Sequence, residues 1–134
     1  MGLKILKIIR LLHLVDKKKY NKKRHVLLIK QSAYFDEKYY KEQYPVVDFK
    51  EISPVEHYLT VGYKEGKDPS PYFSTNGYLE ENPDVKAVGM NPLLHYEISG
   101  KNEGREIKVS DKNDYTFAFW RRLKMNIATF LGKV

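Results

Sequence analysis

No cysteine occurs anywhere in the 134 residues. That excludes a disulfide framework and any thiolate-bound metal, and it fits a reducing compartment. No apolar run reaches the ~20 residues that a bilayer-spanning helix needs. The most apolar stretch, LKILKIIRLLHLV at 3–15, is interrupted by Lys7 and Arg10. It also makes a poor signal peptide, since the apolar run after Arg10 is brief and no small-residue cleavage site follows. Gly2 invites a myristoylation reading, but Leu6 stands where that motif requires Ser or Thr. There is no βαβ dinucleotide pattern, no Asp-x-Asp metal motif, and no His-x-x-His or Glu-x-x-His spacing. These absences argue against an enzyme and against a cofactor or metal, and no catalytic residue is assigned.

Acidic residues are scarce at both ends. Residues 1–33 carry ten Lys/Arg against Asp16 alone, a net +9. Residues 34–107 carry eight bases and fourteen acids, a net −6, and residues 108–134 carry six bases and two acids, a net +4. The chain therefore reads as an acidic core between two basic arms, the pattern of arms that meet an anionic surface.

The core is one unit written twice. Shifted by thirty-eight residues, 34–66 lies on 72–104 without a gap. Tyr34-Phe35 falls on Tyr72-Phe73, and Tyr40, Glu42, Pro45 and Val47 fall on Tyr78, Glu80, Pro83 and Val85. Pro54, His57, Tyr58, Gly62, Glu65 and Gly66 fall on Pro92, His95, Tyr96, Gly100, Glu103 and Gly104. Identities concentrated on proline, glycine and aromatics mark a structural repeat.

Each unit predicts two short helices. Asp36 caps EKYYKEQY, which Pro45 ends. Ser53-Pro54-Val55-Glu56 is a capping box with proline in the first helical position, and PVEHYLTV is expected to stop in a left-handed turn at Gly62. In the second unit Ser74 or Thr75 caps GYLEEN, DVKAVG adds a helical turn, and Asn91-Pro92 opens a helix running to Gly100. Helices this short are marginal alone. They must be held by packing, for which Tyr40, Val55, Tyr58, Phe73, Tyr78, Val85, Leu93 and Tyr96 are leading candidates, with Phe35, Tyr39, Val47, Leu59, Leu79 and Leu94. The expected fold is all-α: two tandem short helical-hairpin repeats flanked by N- and C-terminal amphipathic helices. The boundaries are 1–33, 34–71, 72–107 and 108–134.

In the N-terminal arm, Ile5, Ile8, Ile9, Leu12 and Val15 gather on one side of a helical wheel, with Lys4, Lys7, Arg10 and His13 on the other. Such a helix either lies in the headgroup layer of an anionic membrane or packs its apolar side on the repeats. Lys17, Lys18, Lys19, Lys22, Lys23 and Arg24 then form either a solvated linker or a juxtamembrane basic patch. Nucleic acid would feel the same charges, yet no recognition helix, zinc finger or RNA-binding aromatic motif accompanies them. At the other end Phe119, Trp120, Leu123, Ile127, Phe130 and Leu131 share one face of a helix, for packing or for a second membrane-surface contact.

FDEKYYKEQYP, SPVEHYLTVGYKEGKDPSPYF and GYLEENPDVKAVGMNPLLHYEISGKNEGR resemble tandem repeats in bacterial glycosyltransferases and rhamnan-synthesis-type proteins of surface-polysaccharide assembly. The resemblance covers 34–107. It departs in the first unit, where Tyr44-Pro45-Val46-Val47 replaces Asn-Pro-Asp-Val and Lys67 replaces Arg, and in the second, where Ser74 replaces the early Asp and Gly77 the first Tyr of the pair. It implies a non-enzymatic accessory or scaffold module at the cytoplasmic face of a membrane, with a glycosyltransferase or another assembly protein as partner. Alternatively the module holds glycan through exposed tyrosines, with Tyr63 and Tyr72 in the bridge as first candidates. His57 and His95 are either acid/base or metal-binding groups or helix-face imidazoles bonded to nearby backbone. Glu65-Gly66-Lys67 and Glu103-Gly104-Arg105 form either positive-φ turns with local ion pairs or a paired contact surface.

Overall fold

A computed structural model describes residues 2–110, except the side chains of Val15 and Asp16. The C-terminal stripe at 119–131 lies outside the described residues. Within them the chain is mostly helical, and no strand occurs, only an isolated bridge between Ser70 and Phe73. The expected all-α class holds for this part.

Helix α1 spans Gly2–Gln31 without a break. This corrects the linker reading of 16–25. Lys and Arg are good helix formers, and neither glycine nor proline occurs between Gly2 and Pro45. Among its described side chains the apolar ones that pack lie in the last two turns: Ile29 is fully buried, with Val26 and Leu28 partly buried beside it. The helix leans on α3 and α6, and Lys22 pairs with Glu56 at 3.6 Å.

Helix α2 is Glu37–Gln43, capped by Asp36 accepting from the Tyr39 N–H at 2.9 Å. Helix α3 is Pro54–Thr60, capped by Ser53 accepting from Glu56 N–H at 3.2 Å, while Ser53 Oγ donates to Glu56 Oε2. Helix α4, Thr75–Glu81, starts on Ser74, and α5, Pro83–Val88, ends on Gly89 at φ 67. Helix α6, Pro92–His95, is capped by Asn91 and continues through a π-helical turn, Tyr96–Gly100. Residues 45–50, which align with α5, form turns instead. There β-branched Val46 stands where the second unit has Asp84 in the first helical turn, and Glu51 replaces the terminating Gly89.

Gly62 does not take the expected left-handed turn. Helix α3 is already capped at Val61, and Gly62 opens a 3-10 turn to Glu65. The positive φ belongs to Gly66, at 70, and to Gly104, at 69. Gly62 and Gly100 are glycine because a neighbour comes close: a Cβ there would collide with the hydroxyls of Tyr40 and Tyr78 respectively.

The core is a chain of rings. Tyr40, Tyr58, Phe73 and Tyr78 are fully buried, with Val55, Val85, Leu93, Leu94 and Tyr96 around them. Phe73 stacks on Tyr78 at 5.4 Å, and Tyr40 meets Tyr44 edge-on at 4.9 Å. Tyr34 bridges onward to Phe73 and Tyr96 at 6.2 and 5.6 Å. Each such ring pair adds about 0.5–1.5 kcal/mol to what its buried area contributes. Asp36 N–H donates to Pro69 O and Ser74 N–H to Lys108 O, so each bridge returns to the start of the unit it follows. Buried Asp68 accepts from Thr75 N–H at 2.8 Å and from the Ser110 hydroxyl.

Candidate functional site

The recurring identities converge in space. Tyr40 Oη lies 2.7 Å from His57 Nδ1, and Tyr78 Oη lies 2.9 Å from His95 Nδ1. In each case the glycine five residues after the histidine leaves room for the hydroxyl. The histidines are thus bonded to tyrosine side chains, not to backbone as the sequence suggests, and each is engaged by its own tyrosine. Burial, then Lys67, holds the His57 imidazole below its usual pKa, with Glu65 opposing. Burial pushes the Tyr78 hydroxyl up to about 12, against the pull of Arg105. Burial raises Tyr40 further still. Raised phenol pKa values keep both hydroxyls protonated, so each can serve as a hydrogen-bond donor to its imidazole. Among the described residues no three His, Asp or Glu side chains are grouped to hold a metal.

The two Glu-Gly-basic turns differ in a way that explains the altered first unit. Arg105 makes a two-pronged pair with Asp84, at 2.8 and 2.7 Å, reaches Asn82 Oδ1 at 2.8 Å and pairs with Glu103 at 2.6 Å. The Asp84 carboxyl is thereby held down at about 2. At the equivalent place Val46 offers no carboxylate. Lys67 instead sits 5.2 Å over the Tyr44 ring and pairs with Glu65 at 2.5 Å. Without a carboxylate at 46 the two-pronged pairing that suits a guanidinium has no acceptor, and the Lys67 ammonium, a point charge, pairs with Glu65 alone. Glu65 and Arg105 therefore serve local pairing.

Tyr63 and Tyr72 are not alike. Tyr72 is 57% exposed, whereas Tyr63 is partly buried and its hydroxyl donates to Gly89 O at 3.0 Å. An exposed tyrosine pair for glycan stacking is not formed as expected.

The remaining site residues all stand on α1. Lys4, Lys7, Arg10, Lys17, Lys18, Lys19, Lys22, Lys23 and Arg24 are exposed. So are eight apolar residues: Leu3, Ile5, Leu6, Ile8, Ile9, Leu11, Leu12 and Leu14, each between 48% and 78%. Ile5, Ile8, Ile9 and Leu12 stay 48–58% exposed, although Ile8 lies five whole turns from the packed Val26 on the same line of the helix. The packing reading of this arc is thereby corrected for the described residues. Between α1 and the body runs a groove of about 1050 Å³, lined by Lys17, Lys18, Lys22, Leu59, Met90 and Leu94 among others. No helix among the described residues is long and apolar enough to cross a membrane.

Sequence reasoning missed the tyrosine partners of the histidines and the groove. The first had a signal: Tyr, His and Gly recur together at fixed spacing in both units. The groove had none, because it depends on how α1 leans on α3 and α6. The chain matches no protein-family model, no curated protein and no solved structure.

Proposed function

We propose that this chain is a non-enzymatic accessory module of bacterial surface-polysaccharide assembly, held at the cytoplasmic face of an anionic membrane by α1. In this reading residues 34–107 are two tandem helical-hairpin repeats that present a surface to a glycosyltransferase or another assembly protein. The observation that carries it is the first half of α1: eight exposed Leu/Ile between Leu3 and Leu14, with Lys4, Lys7 and Arg10 exposed among them and six further exposed cations from Lys17 to Arg24. Such a helix gains from burying its apolar arc in the acyl boundary, and each Lys/Arg near an anionic leaflet adds about 1 kcal/mol. The tandem reading is supported by the Tyr40–His57 and Tyr78–His95 bonds, both spanning seventeen residues. The polysaccharide context is supported by the resemblance of the repeats.

Co-sedimentation of the full chain with vesicles tests the anchor. Binding to phosphatidylglycerol vesicles should exceed binding to phosphatidylcholine vesicles, and Ile8→Glu with Leu12→Glu should abolish it. Equal binding to both lipids, unaffected by these substitutions, refutes the reading. In the host, loss of the chain should lower surface polysaccharide; unchanged polysaccharide removes the assembly role.

A further inference from the structure

The groove between α1 and the body has a sidedness that the anchoring helix does not need. Its floor is apolar: Val26, Leu59, Tyr63, Met90 and Leu94 line it. Its rim on the α1 side is four lysines, Lys17, Lys18, Lys19 and Lys22, against a single acid, Glu56, already paired with Lys22. At about 1050 Å³ it lies at the upper end of small-molecule sites, which run roughly 300–1,000 Å³.

Charge decides between occupants. Residues 111–134 carry five Lys/Arg against Asp111 and Asp114, so this segment would meet the lysine rim with like charge. A second copy docking through its own α1 would set one basic helix against another. What fits is an apolar chain with an anionic head. The groove also has a continuation: Leu14 and Lys17 belong both to it and to a smaller depression of about 410 Å³ lined by Ile9, Arg10 and His13. That track meets the exposed arc of α1 at Ile9, while Arg10 and His13 continue the basic rim along the helix, so an occupant with an anionic head can arrive from a surface that the arc touches. This favours a lipid over an acidic peptide.

We infer that the groove takes a single acyl chain of an anionic lipid, its chain on Leu59, Met90 and Leu94 and its headgroup on Lys17, Lys18 and Lys22. The inference rests on α1 meeting a membrane, as proposed above, and it adds capture of an individual lipid.

Met90 supplies the test, as one of only three methionines. The full chain carrying methyl-labelled methionine is titrated with dihexanoyl phosphatidic acid as monomers, with dihexanoyl phosphatidylcholine as control. The Met90 methyl resonance should shift saturably with the first and at least about fivefold more weakly with the second. Lys18→Gln should weaken binding about fivefold. Thr60→Trp, which fills the groove from the exposed end of α3, should remove the shift yet leave vesicle binding intact. Ile8→Glu should do the reverse. A silent Met90 with vesicle binding intact overturns the groove alone, and so does an equal response to both lipids. A shift produced by an acidic amphipathic peptide but not by phosphatidic acid overturns it in favour of a protein partner. A parent chain that binds no vesicles yet shows the Met90 shift sinks the anchoring reading instead.

Discussion

Gly62→Ala isolates the packing claim better than any deletion of a large side chain. Gly62 is not in the left-handed region, so alanine suffers no backbone strain there. Its Cβ, however, would collide with the Tyr40 hydroxyl, with His57 Nδ1 at 3.2 Å and Tyr40 Cζ at 3.3 Å close behind. Relief requires the fully buried Tyr40 ring to move, and with it the 2.7 Å bond to His57. Overpacking of this kind costs about 1–3 kcal/mol. Tyr40→Phe removes the same hydroxyl and leaves the buried imidazole without its partner, at about 1–3 kcal/mol. If both penalties come from one atom, they do not add: in the Tyr40→Phe background Gly62→Ala should cost about 1–2 kcal/mol less than in the parent. Urea unfolding of the four proteins, followed by far-ultraviolet circular dichroism, measures the coupling. Penalties that sum to within about 0.5 kcal/mol would refute the reasoning. The pair Gly100→Ala and Tyr78→Phe should behave likewise, since Tyr78 stands in the same relation to Gly100 and His95.

Further predictions concern caps, protons and the charged clasp. Asn91→Ala should cost about 2 kcal/mol and Ser53→Ala about 1, measured by urea unfolding, because Asn91 is buried and its amide also donates to Tyr58 O at 3.3 Å, whereas Ser53 is exposed. The depressed pKa of His57 makes the unfolded chain bind more protons below the ordinary value of 6.5. Stability at that site is therefore complete above pH 6.5 and falls as the pH drops through the folded value. An NMR titration placing His57 at or above 6.5 would contradict this. Arg105→Gln should lower the melting temperature and let the Asp84 carboxyl titrate well above its present value of about 2, and an unmoved carboxyl would show that the clasp does not hold it.

The local grammar of the chain was legible in the sequence because its causes are local. Asp36, Ser53, Ser74 and Asn91 each accept the N–H three residues on, as capping chemistry requires. Pro45 ends α2 within a residue of its expected place. What was illegible depends on distance. Tyr40 and His57 are seventeen residues apart, and only their joint recurrence as Tyr78 and His95, not either neighbourhood, hints that they meet. The role of Gly62 was misread for the same reason: close approach of a remote hydroxyl leaves no local trace. The continuity of α1 was readable in principle, from the lack of glycine and proline, but a lysine-rich composition suggests solvated chain as readily as helix. Ile29, fully buried at the end of α1, was not singled out because HVLLIKQS carries no clear period.

The exposed arc of α1 carries the functional account, and the absence of cysteine allows it to be probed directly. Ile8→Cys and, on the body, Glu51→Cys are each labelled with an environment-sensitive fluorophore and mixed with phosphatidylglycerol or phosphatidylcholine vesicles. The account predicts a blue shift at position 8 with the anionic vesicles alone, and none at position 51. A label at position 8 that stays in water, or one that responds no more than position 51, would contradict it.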